Sequence, residues 1–295
     1  MSQLHLPGLS PLPAEHVVNV ASVKHRSPFR YPGGKTWLVP RVYRWLDSLP
    51  HRPEFFVEPF AGGAIIGLTV AAEHLADHVV LVEMDDQVAA VWETIINRGE
   101  GLRLAKQIED FKLTAENVDR FLRRDNLTPQ EYALQTIVRN RVNRGGILAE
   151  GAGKLKFGEN GRGIRSRWYP ATLRKRIIAI DAIRDRLSFI HGDGLEVMRQ
   201  YIGNSEAVFF IDPPYTASEK KPGSRLYTHW QVDHVELFRL AKKLEGDFLM
   251  TYDNVPEVKE LADQHGFDSE AVAMKTTHHA QLTELLIGRD LNWLR

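Results

Sequence analysis

The 295-residue chain contains no cysteine. That absence removes disulfides, thiolate zinc ligands and every mechanism that begins with a thiol nucleophile. Net charge is lacking too, because 38 basic residues face 38 acidic ones. Any affinity for a polyanion must therefore come from where the charges sit rather than from their sum. No apolar run approaches the roughly 18 to 20 residues that span a bilayer. The opening stretch MSQLHLPGLSPLPAEH lacks the charged start and apolar core of a secretory signal. A cytoplasmic chain without membrane contact is the expectation. What is present is a 43% hydrophobic content, enough at this length for one large domain or one domain carrying an insertion.

The apolar runs order themselves as strand, turn, helix, strand, helix. EFFVEPF (54–60) reads as a buried strand, AGG as a small-residue turn and Ala64 to about Leu75 as a helix. HVVLVEMD (78–85) is a second strand and QVAAVWETI a second helix. Such alternation predicts a parallel sheet covered by helices on both faces. From about Arg98 to Ile180 the strand pattern stops. Helical stretches at roughly 101–124 and 128–143 lead into the glycine-rich, basic segment NRGGILAEGAGKLKFGENGRGIRSRWYP. Strands resume at LSFIHGD (187–193), AVFFIDPPY (207–215), GDFLMTYDN (246–254) and TELLIGRD (283–290). The organisation expected is an N-terminal extension over 1–26, an α/β domain made of 27–97 and 181–295, and an insertion at 98–180.

Ligands of open α/β sheets sit beyond the carboxyl ends of the strands. Three runs end there in acids: Glu58, Glu83 with Asp85, and Asp212. Gly62 and Gly63 allow backbone to approach a ligand, and an acid after the second strand can accept ribose hydroxyls. These features imply a nucleoside-bearing cofactor. FAGGAIIG departs from the G-x-G-x-x-G spacing of nicotinamide binders. YPGGKT lacks the glycine that a Walker A loop needs five positions before Gly34, where Phe29 stands. A cofactor without a pyrophosphate remains, and S-adenosylmethionine fits.

RYPGGK (30–35), VEPFAGGA (57–64), LVEMD (81–85), IDPPY (211–215), FLMTYDN (248–254) and ELLIGRD (284–290) occur in that order. The set resembles the Dam-type DNA adenine-N6 methyltransferases, the class with its recognition region between the cofactor and catalytic motifs. The resemblance implies a Rossmann-like methyltransferase sheet, S-adenosylmethionine as cofactor and an inserted, mainly helical target-recognition domain. It implies a catalytic set of Asp212, Pro213, Pro214 and Tyr215. The Asp212 carboxylate and the Pro213 carbonyl would accept the hydrogens of adenine's exocyclic amine, favouring the charge-developing nitrogen. The prolines hold that carbonyl rigidly, and Tyr215 offers a ring to a base rotated out of the duplex.

For the cofactor it implies Tyr31 and Lys35, with Pro59, Phe60, Gly62 and Gly63 of the EPFAGG turn and Glu83 on the ribose. Asp212 lies beside both cofactor and base. Asp193 either reaches the cofactor's adenine or forms a turn, and Glu58 is either a ligand or a helix-end acid. Double-stranded DNA is the expected partner, gripped by Arg139, Arg141, Arg144, Lys154, Lys156, Arg162, Arg165 and Arg167, a stretch opposed by only Glu150 and Glu159. A cognate restriction endonuclease is compatible with this reading. No metal is expected, because His278 and His279 have no further ligands at zinc spacing. Two other functions stay open: an RNA adenine methyltransferase and a catalytically silent DNA-binding regulator. Ring-carbon methylation of cytosine, which needs a cysteine, is excluded.

Overall fold

The computed structural model describes residues 22–31, 33–149, 151–214, 232–275 and 281–295. Tyr215, the histidine pair at 278–279 and most of the N-terminal extension lie outside them.

Seven strands form one sheet: β1 (Phe55–Glu58), β2 (His78–Glu83), β3 (Leu187–His191), β4 (Ala207–Ile211), β5 (Phe248–Asp253), β6 (Asp268–Lys275) and β7 (Gln281–Gly288). Their spatial order is β3-β2-β1-β4-β5-β7-β6. The first five are parallel, and β7 runs antiparallel between β5 and β6. This is a Rossmann-like α/β sheet whose order reverses between β1 and β4.

The central strands are apolar along most of their length because both faces are covered, with the polar residues Glu58, Thr251 and Asp253 near their carboxyl ends. Phe56, Val79, Leu81, Phe210 and Leu249 point to one core. Their neighbours Val57, Val80, Val82, Phe209, Ile211 and Met250 point to the other, as the two-residue period of a strand requires. On the second face lie α8 (Gly194–Gln200), α9 (His234–Lys243) and α10 (Pro256–His265). On the first lie α1 (Val39–Ser48), α2 (Ile65–Ala72) and α3 (Asp86–Trp92), the last continued by a π-helical turn over Glu93–Asn97.

The segment 98–180 supplies α4 (Gly101–Asp110), α5 (Ala115–Leu122), α6 (Pro129–Val142) and α7 (Pro170–Asp181). The helix expected over 101–124 is two helices. Phe111 leaves the helical backbone, and Thr114 opens α5 by accepting from the Asn117 N–H at 3.2 Å. α6 begins with a capping box between Thr128 and Glu131 and with Pro129 in its first turn. Its buried side chains Ile137, Val138 and Val142 share one core cluster with Trp92 and Leu81 of the sheet domain. These helices therefore pack onto the sheet through one shared apolar core.

α1, α7, α8, α9, α10 and β6 were not singled out in the sequence. α7 was hidden at the end of a basic, glycine-rich stretch. β6, DSEAVAMK, has only the short run AVAM between polar residues. It pairs with one strand only, at the edge of the sheet.

Candidate active site

The reversal between β1 and β4 opens a cleft of about 550 Å³ at the carboxyl ends of the strands, where open α/β sheets hold ligands. Its floor is the turn after β1. Gly62 has φ +47°, and a Cβ there would meet the Tyr31 ring at 2.5 Å. Its N–H donates to Glu83 Oε2 at 2.9 Å, and its carbonyl accepts from Trp92 Nε1 at 2.9 Å. The turn is thus fixed on three sides. Tyr31, Lys35, Pro59, Phe60, Gly62 and Gly63 all line the cleft.

Glu83 also lines it, and its Oε1 accepts the N–H groups of Met84 (2.8 Å) and Asp85 (2.9 Å). Enclosure by protein raises its pKa, opposed by these backbone donors. With two acceptor sites per oxygen, the second site of Oε2 is the one with no donor among these three bonds. Asp85 caps α3 through Gln87 N at 2.8 Å. Asp193 caps α8 through Leu195 N at 2.8 Å while also bordering the cleft, so the turn and the ligand readings of this residue coexist geometrically. Glu58 borders the cleft as well. It is 3% exposed, its Oε2 accepts the Gly67 N–H at 2.8 Å, and burial pushes its carboxyl well above the usual range. Its position braces α2 beneath the glycine turn.

Asp212, Pro213 and Pro214 stand at the end of β4, on the cleft wall. Asp212 Oδ1 accepts the Thr251 hydroxyl at 2.7 Å and lies 3.0 Å from the Lys35 ammonium. Lys35, 3% exposed, also donates to the Gly33 carbonyl at 2.9 Å and lies 3.6 Å from Glu284 Oε2. Asp253 borders the same space. Burial raises Asp253 and pushes Glu284 up to about 7. Thr251, Asp253 and Glu284 fall inside the motifs FLMTYDN and ELLIGRD but had no role assigned. The signal that would have found them is period two: Thr251 and Asp253 share a face of β5, and Glu284 pairs with Asp253 across the antiparallel register.

The basic residues of the insertion fall into two sets. Arg144, Lys154, Lys156, Arg162 and Arg165 are exposed, and Arg139 and Arg167 half-buried. Lys154 pairs with Asp119, Arg139 with Gln87, and Arg162 lies 5.9 Å over the Tyr169 ring. Phe157 is exposed in the same segment. Arg141 does not belong to this surface. It is 5% exposed, it donates to the Pro28 carbonyl, and burial with Arg176, Arg30 and Arg167 nearby lowers its pKa to about 9. Its partners on the same stretch are Arg176, donating to the Ser27 carbonyl at 3.0 Å, and Asn140. The Asn140 amide accepts from Arg30 N at 2.9 Å and donates to Arg30 O at 2.9 Å and Gly146 O at 2.7 Å. The insertion thus holds the backbone that leads into Tyr31. Nothing in the sequence reading singled out Asn140 or Arg176 for this.

Among the described residues no group of three or more potential ligands could hold a metal ion, and no helix is long and apolar enough to cross a membrane.

A nucleoside-sized cleft at the switch point of a Rossmann-like sheet, floored by a glycine turn and walled by D-P-P, is the arrangement of a methyltransferase acting on an amine. The model of the D12 class N6 adenine-specific DNA methyltransferases matches residues 31–277. The chain belongs to that family, and it is an adenine-specific methyltransferase dependent on S-adenosylmethionine. A search among curated proteins found no match. Solved structures similar in layout include a protein described as an RNA methyltransferase from Pyrococcus horikoshii (12% identity, TM-score 0.40, 91% of this chain and 92% of that one). Others are an rRNA methyltransferase from Streptomyces viridochromogenes (13%, 0.40, 92% and 91%) and a precorrin-6y C5,15-methyltransferase from Geobacter metallireducens GS-15 (10%, 0.39, 94% and 97%). At these scores the likeness carries no argument about substrate.

Proposed function

We propose that the chain methylates the N6 amine of adenine in double-stranded DNA, on a base rotated out of the duplex. The observation that carries this is the Asp212 carboxylate, held by Thr251 and Lys35 at the end of β4 beside the glycine turn. The cleft suits S-adenosylmethionine: its volume lies within the ~300–1,000 Å³ of small-molecule sites, and the remaining Glu83 Oε2 site is an acceptor for a ribose hydroxyl. When bound, that cofactor supplies a methyl group activated by a sulfonium.

The chain's own residues do the rest. Thr251 and Lys35 both address Oδ1, which fixes the carboxylate plane and turns it toward the amine. Asp212 and the Pro213 carbonyl accept the two N6 hydrogens and stabilise the positive charge that grows on nitrogen. Tyr31 and the Gly62–Gly63 turn set the cofactor's depth. Residues 98–180 form the target-recognition insertion. Arg144, Lys154, Lys156, Arg162 and Arg165 track phosphates, since positive charge is concentrated there in a chain neutral overall. A flipped base is required because N6 is not reachable for in-line attack within a stacked pair.

The test is labelled methyl incorporation into duplex DNA, with a structured RNA in parallel. Wild type is expected to label DNA at adenine. Asp212→Ala is expected to lose at least about a hundredfold in rate, roughly 3 kcal/mol of transition-state stabilisation. Asp212→Ala within about tenfold of wild type would remove Asp212 from the reaction. Preference for the RNA would overturn the DNA assignment.

A further inference from the structure

Methyl transfer leaves a positive charge on the amine, and one proton must depart. Asp212 touches that amine on the reading above, on which this inference rests, and the structure continues past it. Two further carboxyls stand near Lys35. Glu284, 6% exposed, is 3.6 Å from the ammonium, and half-buried Asp253 is its cross-strand neighbour. Like charges directly opposite one another in a sheet repel, so three carboxyls around one ammonium favour a proton on one of them. Glu284 is the most enclosed of the three.

We propose that Lys35 and Glu284 form the exit for the proton lost by the adenine amine, with Glu284 its acceptor. The N6 lone pair forms the N–C bond as the C–S bond breaks and its electron pair stays on sulfur. N6, now positive, gives a proton to Asp212. Lys35 passes one of its own protons to the Glu284 carboxylate and takes the proton from Asp212, returning to an ammonium. The product amine is neutral, Asp212 is again an anion, and Glu284 holds the proton until half-buried Asp253 and water remove it.

The groups facing Glu284 are Lys35 from the segment before α1, Asp212 after β4 and Asp253 on β5. Its partner on β6 is Val272. Burial and the two acids raise Glu284, and Lys35 only partly opposes them, so its carboxyl is pushed up to about 7. An acceptor must be ionised. The rate should therefore fall as pH drops through that value, as Glu284 becomes protonated beforehand.

Two measurements test this. The first is carbon NMR of the cofactor-free protein with labelled glutamate carboxyls. One resonance is expected to titrate near 7 and to vanish in Glu284→Gln. The second is single-turnover methylation of duplex DNA over a range of pH. Wild type is expected to show an acid limb near 7. Glu284→Gln, which can still face Lys35 with a polar group, is expected to lose that limb and to be slower by about tenfold or more at alkaline pH. Glu284→Asp keeps a carboxyl, so the limb should persist in it, displaced; if Glu284→Gln does not fold, this variant decides by that limb. Absence of any glutamate titrating near neutrality, or an unchanged limb and rate in Glu284→Gln, would overturn the proposal. A wild type that methylates no adenine at all would instead sink the function beneath it.

Discussion

Replacing Asn140 by alanine is the substitution whose consequences can be worked furthest from the structure. The Asn140 side chain is fully buried and makes three hydrogen bonds to backbone, two to Arg30 and one to Gly146. Each such bond contributes about 1 kcal/mol net, so the loss should be about 3 kcal/mol. Backbone groups left without partners push it higher. Gly146 offers no relief, because at its φ of +78° a Cβ would meet the Arg30 carbonyl at 2.3 Å, so the turn is tightly packed there. The residue after Arg30 is Tyr31, whose ring covers the glycine turn of the cleft. Loosening Arg30 should therefore also weaken S-adenosylhomocysteine, by about 1 kcal/mol or roughly fivefold. Urea unfolding measures the first effect and calorimetric titration the second. Stability within about 1 kcal/mol of wild type, together with unchanged affinity, would refute the view that α6 holds the cofactor-facing segment through this amide.

Gly62→Ala adds a Cβ that meets the Tyr31 ring at 2.5 Å in a left-handed backbone. Calorimetry should show weaker S-adenosylhomocysteine binding, partly restored by Tyr31→Ala; unaltered affinity in the single variant would show that the turn relaxes freely. Joint replacement of Arg144, Lys156 and Arg162 by alanine should flatten the salt dependence of DNA binding by up to about 0.9 in log–log slope for each phosphate no longer neutralised. Cofactor affinity should be unmoved in that variant, and an unchanged slope would take these side chains off the phosphate path. Arg141→Ala should behave oppositely. It should lower the urea midpoint by unseating the Pro28 carbonyl, with the salt slope kept.

The parts of the site legible in the sequence were those where chemistry is packed into consecutive residues. EPFAGG and DPP carry a turn and a carboxylate with their own geometry, and continuous apolar runs made the central strands easy to place. The rest depends on residues distant along the chain. Lys35, Asp212, Thr251 and Glu284 meet only because β4, β5 and β7 lie side by side, and no local pattern encodes that adjacency. Charge counting misled at Arg141 for a related reason. A basic residue in a basic stretch reads as surface, yet its position on the inner face of α6 turns it toward the Pro28 backbone. α5 separated from α4 because Thr114 is a better cap than a helix interior residue.

The strand order has a consequence for how the protein comes into being. β6 precedes β7 in the chain, yet it touches the sheet only through β7, which inserts between it and β5. During synthesis β6 has no place to dock until residues 281–288 have emerged, and Glu284 arrives with them. Lys35 and Asp212, made far earlier, wait for this last strand before the site has its full set of charges. The glycine turn, Asp212 and Glu284 are thus made in the order in which they line the cleft, and β7 both closes the sheet and brings the last of these charges.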